Sequence, residues 1–384
     1  MYLAKLIARN AMRHKLRTAL TVLGLVIAVL AYGLLQTVVD AWYAGASAAS
    51  NARLVTRNAI SLTFTLPLSY ESRIKGVDGV TLVARSNWFG GVYRDPKNFF
   101  AQFAVSDNYL DLYPEFIVPP AQRADYERDR RGALVGRQLA DLYGFKVGDV
   151  IPIKGTIYPG TWDFVVRGIM EGRDESTITR QMIFHWDYLN ETVRKKTARQ
   201  ADQVGVYVLG IDNPDNAAAI SRAVDNVFRN SLAETLTETE QAFQLGFVAM
   251  SNQIIAAIRL VSYVVIVIVM AVMANAMAMS ARERVTEYAT LKALGFGSGF
   301  LSLLVFGESM VISTFGGALG MLLTPPAARF FKQAVGGVFP VFTVSHDTMA
   351  MQAVCALVVG MAAAIVPAVQ AARVRIVEGL RAIG

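Results

Sequence analysis

The sequence predicts an α-helical membrane protein with four transmembrane helices and a large α+β domain inserted between helices 1 and 2. Hydrophobic residues make up 54% of the 384 and charged residues only 17%, where soluble domains carry about a quarter charged. Residues 18–39, 260–281 and 348–372 contain no charge, and 300–323 contain only Glu308. A helix of about 20 mainly apolar residues crosses the hydrocarbon. The roughly 200 residues between the first two runs are enough for one or two compact lobes.

The same figures exclude a disordered chain, a collagen and a coiled coil, and speak against a purely soluble enzyme. The single cysteine, Cys355, excludes a disulfide framework and a cysteine-based zinc site. His14, His185 and His346 lie far apart and give weak grounds for a metal site.

Residues 1–17 form a basic amphipathic helix. Lys5, Arg9, Arg13, Lys15 and Arg17 come with no acid, and Leu3, Leu6, Ile7 and Ala11 lie opposite Lys5 and Arg9, as in an interfacial elbow. Span one covers 18–40. Ala44-Gly45-Ala46 resembles a cleavage site, yet the 22 charge-free residues before it exceed the roughly 7–15 of a signal core. An uncleaved anchor follows.

Residues 41–240 form the α+β domain. Residues 60–66 alternate apolar and polar, as a half-buried strand does. A short helix covers 69–75 and ends at Gly76, and another covers 137–143, stopped by Gly144. Strands are expected at 150–153, 162–169, 181–186 and 204–209, with a helix from about 187. Pro214 opens a further helix to about 228. Glu171, Asp174 and Glu175 read as a solvated turn.

Residues 241–281 combine a stalk with span two. Phe243, Phe247, Met250, Ile254, Ala257 and Val261 recur at spacings of four and three, one face of a continuous helix. A helix over about 240–281 would reach roughly 60 Å, twice the hydrocarbon thickness. Trp42 and Tyr43 either extend span one beside it or act as interfacial anchors.

Residues 282–298 form a cytoplasmic coupling helix. Val285, Tyr288, Leu291 and Leu294 make an apolar strip with Arg284, Glu287 and Lys292 beside it, suited to a lipid surface or a partner's groove. Gly295 with Gly297 and Gly299 reads as a hinge or helix cap. Span three covers 299–324. Its Glu308 either makes a polar contact inside the bundle, with Asn275 or Arg282, or lies near the headgroups. Gly316, Gly317 and Gly320 mark a close helix interface. Residues 325–347 form an outer loop, 348–372 span four, and 373–384 a tail.

Basic residues set the orientation. Eleven fall in the N-terminal segment, the 282–298 connector and the tail, against Arg329 and Lys332 in the outer loop. Both termini and the connector are therefore expected in the cytoplasm and the large domain outside. Segment 41–258 holds 23 basic and 24 acidic residues, and the rest of the chain 14 and 6. The net charge of +7 is thus a topology signal and not a nucleic-acid footprint. No Gly-Lys dipeptide exists, so there is no Walker A loop. The reading is of a non-catalytic subunit with no cofactor or metal of its own.

Five groups of residues carry a resemblance to one family. Asn10, Arg13, Lys15, Arg17, Thr18, Leu20, Thr21, Leu23 and Gly24 resemble the opening of FtsX-like, MacB-type ABC transporter permeases. Glu283, Arg284, Glu287, Leu291, Lys292, Ala293 and Gly295 resemble the family's connector, though Thr286-Glu287-Tyr288-Ala289 stands where Arg-Glu-Ile-Gly is usual. Glu308 with the glycines after it resembles the family's third span. Pro367, Ala368, Gln370, Ala371, Ala372 and Arg373, then Glu378, Leu380 and Arg381, resemble its C-terminal signature. Val135-Gly136, Leu139-Ala140 and Val147-Gly148-Asp149 resemble a segment of its outer domain.

The resemblance implies a MacB-like periplasmic core domain and a mechanotransmission permease in a bacterial inner membrane. It implies a partner ABC ATPase that holds the ATP and magnesium, contacted through Arg284, Glu287, Tyr288, Leu291, Lys292 and Gly295. It implies a second permease copy, identical or paralogous, beside membrane lipid, with a periplasmic adaptor or lipoprotein chaperone as further partners and no nucleic acid. Export of a small molecule or peptide, extraction of a lipid or lipoprotein, and cargo-free activation of a cell-wall hydrolase all fit. A ligand sensor lacks a signalling domain after Ala372, and a membrane-embedded enzyme lacks converging polar groups.

Overall fold

The structure, a computed structural model, describes residues 7, 9–11, 13–174, 177–335 and 342–376. It divides into two compact units, Tyr43–Met250 and Met1–Trp42 with Ser251–Gly384. In chain order the elements are α1 (Lys15–Ala48), β1 (Arg53–Asn58), β2 (Leu66–Pro67), α2 (Tyr70–Lys75), β3 (Val80–Trp88), β4 (Ala101–Val105), α3 (Tyr109–Leu112), β5 (Phe116–Ile117), α4 (Pro120–Arg128), β6 (Gly132–Gly136) and α5 (Arg137–Tyr143). Then come β7 (Val150–Gly155), β8 (Gly160–Gly172), β9 (Gln181–His185), α6 (Trp186–Lys196), β10 (Gln203–Val204), β11 (Val206–Ile211), α7 (Ala217–Val227), β12 (Thr235–Thr239) and α8 (Glu240–Ala249). Four more helices follow: α9 (Asn252–Glu283), α10 (Val285–Ala293), α11 (Ser298–Val335) and α12 (His346–Arg373).

The unit Tyr43–Met250 is built on one mixed sheet in the order β12-β1-β11-β3-β4-β9-β6-β8-β5, with β7 paired to β8. The pairs β4–β9 and β6–β8 are parallel and the others antiparallel. Successive side chains of a strand point to opposite faces, and here both faces are covered. Val83, Ala133, Val135, Met182 and Phe184 join one core with α5, α6 and α7. Their neighbours Ala84, Leu134 and Ile183 join a second core with α3 and α4. Burial on both faces explains the unbroken apolar runs of β6 and β9.

Of the strand expected at 60–66 only Leu66 is in a strand, β2, which pairs with β10 in a separate two-stranded sheet; β1 occupies Arg53–Asn58. Asn58 Oδ1 accepts from the Ile60 N–H at 3.0 Å, and Ser61 Oγ from the Thr63 N–H at 3.1 Å. These local bonds offer the backbone an alternative to a ladder, and Ile60 stands 82% exposed. The free edge of β12 is also occupied, because Asp225 of α7 accepts from the Thr237 N–H at 3.1 Å and from the Thr235 and Thr237 hydroxyls.

The chain enters and leaves this unit beside one buried ion network. Arg53 opens β1 and Glu240 opens α8. Arg53 Nε donates to Glu240 Oε2 at 2.7 Å, its Nη2 to Glu115 Oε1 at 2.6 Å and its Nη1 to the Leu112 carbonyl at 2.9 Å. The Tyr113 hydroxyl donates to the other Glu240 oxygen at 2.9 Å. A charge removed from water needs this degree of pairing to persist.

In the other unit, α1, α9, α11 and α12 are each long and apolar enough to cross a membrane. Their shared core draws Leu25 and Val29 from α1, Met273, Met277 and Ala281 from α9, and Leu304, Val305 and Ile312 from α11. α12 contributes Val359 and the alanines Ala356, Ala363, Ala368 and Ala371, small residues that allow close backbone approach. α11 runs on to Val335, so the first part of the expected 325–347 loop is helical.

The stalk is not one continuous helix. α8 ends at Ala249, α9 begins at Asn252, and Met250 and Ser251 lie in a turn between them. The Met250 N–H bonds the Phe247 carbonyl at 3.2 Å, a tightened last turn, and Ser251 lies at φ −101°, ψ 6°. Gly246 upstream and Ser251-Asn252 at the turn all weaken a helix interior. α1 has no such break, and at 1.5 Å per residue its 34 residues reach about 50 Å.

Candidate functional site

The connector helix α10 begins where α9 stops. The buried stripe of α9 runs Met273, Met277, Ala281, and a step of three more residues lands on Arg284, which is buried too. Arg284 Nη1 donates to Glu308 Oε1 of α11 at 2.5 Å, and its Nε to Glu287 Oε2 at 3.0 Å. Its guanidinium lies 5.5 Å from the Tyr288 ring centre, and Tyr288 is itself buried. Glu308 is 4% exposed. It therefore has a partner inside the bundle, but neither Asn275 nor Arg282. Both of those fall off the buried stripe and are exposed.

The N-terminal segment closes the cluster. Arg13 pairs with Glu287, and Arg17 Nη2 donates to both Glu283 oxygens at 2.7 Å. Partial burial works against the charge of Glu287, but the hydrogen bonds from Arg284 and Arg13 outweigh it and hold the carboxyl below its usual range. Ala11 is buried in the same core. A Cβ on Gly307 would come within 2.7 Å of Ile7, so this helix meets the bundle and does not only face lipid. Leu3, Lys5 and Leu6 lie outside the described residues.

Lys292 turns inward as well. Its ammonium donates to the Ala372 carbonyl at 2.7 Å and the Val374 carbonyl at 2.8 Å, a cation on the carbonyl end of α12. The apolar strip read from the sequence is therefore divided: Tyr288 is buried, Leu291 is half-buried, and Leu294 is 71% exposed. Gly295 stops the helix at φ +95°, a conformation only glycine adopts freely. The Gly295 N–H bonds the Lys292 carbonyl and the Phe296 N–H the Leu291 carbonyl, each at 3.0 Å, which is the Schellman cap. Phe296, 44% exposed, stands next to Leu294 on this end.

The span glycines lie at helix contacts. A Cβ on Gly316 would come 2.9 Å from Leu25, and one on Gly320 2.8 Å from Val29, both of α1. A Cβ on Gly317 would meet Ala356 of α12 at 2.4 Å. Two polar contacts escaped the sequence reading. Asp40 accepts from Ser345 at 2.8 Å and Thr348 at 2.7 Å, and Gln352 donates to the Val29 carbonyl at 2.7 Å and Thr324 at 2.8 Å. Only the position of Gln352 in a charge-free run hinted at them. In the stalk, the Phe243 and Phe247 rings meet edge to face at 5.1 Å, while Met250 and Ile254 are exposed. Glu378, Leu380 and Arg381 lie outside the described residues.

Comparison with known proteins follows this layout. Residues 18–227 match the MacB-like periplasmic core domain and residues 259–376 the FtsX-like permease C-terminal region. Among curated proteins none matches. One similar solved structure is the extracellular domain of the noncanonic ABC-type transporter YknZ from Gram-positive bacteria, at 13% identity and a TM-score of 0.36, covering 49% of this chain and 98% of that one. Another is a domain of a protein titled a permease from Porphyromonas gingivalis, at 12% identity and a TM-score of 0.36, covering 49% of this chain and 90% of that one. With the first match spanning more than half of its residues, the chain belongs to the FtsX-like, MacB-type family of ABC transporter permeases.

Proposed function

We propose that this chain is the membrane subunit through which a separate cytoplasmic ATPase drives an outer domain, for export or extraction of a substrate. The connector carries the reading. Arg284, Glu287 and Lys292 tie α10 to α11, to the N-terminal segment and to α12, so a push on α10 is felt by several spans. Leu294 and Phe296 are left outward, as apolar anchors for an ATPase groove. In this reading Arg284 and Tyr288 hold the connector's shape, and the partner is met at Leu294, Gly295 and Phe296.

The basic N-terminal segment and connector support a cytoplasmic placement of both termini in an inner membrane, with the outer domain in the periplasm. ATP and magnesium belong to the partner. A second permease copy completes the assembly. Of the two stems, α1 is the unbroken rod, and Met250-Ser251 is the joint.

Co-expression with a partner ABC ATPase tests the reading. Leu294→Glu and Phe296→Glu should each weaken co-purification by about tenfold or more, as loss of an interface anchor does. Arg94→Ala, on the outer domain, should leave it unchanged. If both glutamate variants keep wild-type association and wild-type ATP hydrolysis, the connector does not dock the ATPase.

A further inference from the structure

The spans carry an apolar groove that the coupling role leaves unused. It lies open between α1 and α11, has a volume of about 820 Å³, and is lined by Val22, Leu23 and Val26 on one wall and Leu319 and Leu323 on the other, with Lys15 at its end. Its volume is that of a ligand site, which is roughly 300–1,000 Å³. From Lys15 to Val26 the wall rises about 16 Å, close to one leaflet of a hydrocarbon core about 30 Å thick.

Charge decides what fills it. Arg13 and Arg17 flank Lys15, and both are engaged, with Glu287 and Glu283. Lys15 makes no ion pair among the described residues and is exposed at the groove's mouth. A helix of a second copy would cover the apolar walls, but the acids that lie beside the start of α1, Glu283 and Glu287, are already paired with Arg17 and Arg13. A phospholipid answers both, with acyl chains on the leucine and valine walls and a phosphate at the cation. We propose that this groove binds one anionic phospholipid, its phosphate on Lys15. The inference rests on the membrane-spanning architecture and not on the ATPase reading.

Native mass spectrometry of the full chain, released from detergent with added phosphatidylglycerol or phosphatidylcholine, tests it. The wild type should retain one phosphatidylglycerol, about fivefold in preference to phosphatidylcholine, the effect of one lysine near the surface. Lys15→Gln should bind both lipids equally. Val22→Trp, which fills the groove, should retain neither, while its helical circular dichroism matches the wild type. Should Val22→Trp fail to fold, Leu323→Trp blocks the other end. Wild-type retention in the folded tryptophan variant, an intact preference in Lys15→Gln, or efficient Val22→Cys cross-linking between two copies would each overturn the proposal.

Discussion

Replacing Arg284 by Ala removes the group that meets Glu308 at 2.5 Å and Glu287 at 3.0 Å. Glu308, 4% exposed, is left as a buried carboxylate without its cation. Losing one partner of a buried pair costs about 3–5 kcal/mol. Glu308→Ala should cost less, near the lower end of that range, because Arg284 keeps Glu287, whose side chain is 40% exposed. Removing both deletes the attraction and the desolvation together. The double variant should therefore be no worse than Arg284→Ala, so the interaction energy is at least the Glu308→Ala cost, about 3 kcal/mol. The assay is a double-mutant cycle on helix loss in mixed micelles with rising sodium dodecyl sulfate, read by circular dichroism. Repeating it in high salt should change little, because a buried pair is poorly screened. Single costs that add to within about 0.5 kcal/mol would refute the claim that Arg284 and Glu308 lock the connector to α11.

Other perturbations reach other parts of the chain. Arg53→Met strands Glu240 and Glu115 in the outer domain and should destabilise it by about 3–5 kcal/mol, measured as loss of the cooperative thermal transition. Gly317→Ala forces a methyl against Ala356, a 2.4 Å approach, and should cost about 1–3 kcal/mol through overpacking, in the same micelle assay. Asp129 responds to pH. Burial opposes its charge, but the Arg167 side chain and the Arg131 N–H hold the carboxyl below its usual range. A lowered value means stability present above the unfolded carboxylate value of about 4 and lost as pH falls through the native one. Asp129→Asn should therefore lower the melting temperature at pH 7, and the gap to the wild type should narrow as the pH falls below the ordinary carboxylate range.

The spans were legible because a run of about 20 residues without charge has few other meanings. The outer domain's fold class was legible from its alternation of short strands and helices, but not its sheet. The sequence does not mark strands β1, β3, β4, β5, β6 and β12, because Arg53 and Arg57 disguise a buried strand in β1, while 60–66 alternate well and only Leu66 finds a strand to pair with. The connector was legible as a helix, but which face it buries was not. Burying Arg284 and half-burying Lys292 while exposing Leu294 inverts the usual preference, and only partners distant in sequence, Glu308 and the end of α12, make that stable. The stalk's break was missed for a simpler reason. An apolar repeat of four and three continues through Met250 and Ser251 and outweighs the local weakness of the turn.

The central claim is that ATP turnover on a partner moves the outer domain through this chain. It is tested most directly by the distance between spin labels at Leu245 and Val261, both exposed and on opposite sides of the Met250-Ser251 joint, in the reconstituted permease–ATPase complex. The account predicts a distance distribution that shifts when ATP is trapped on the partner and returns on nucleotide release. Identical distributions in both states, with ATP hydrolysis intact, would contradict it.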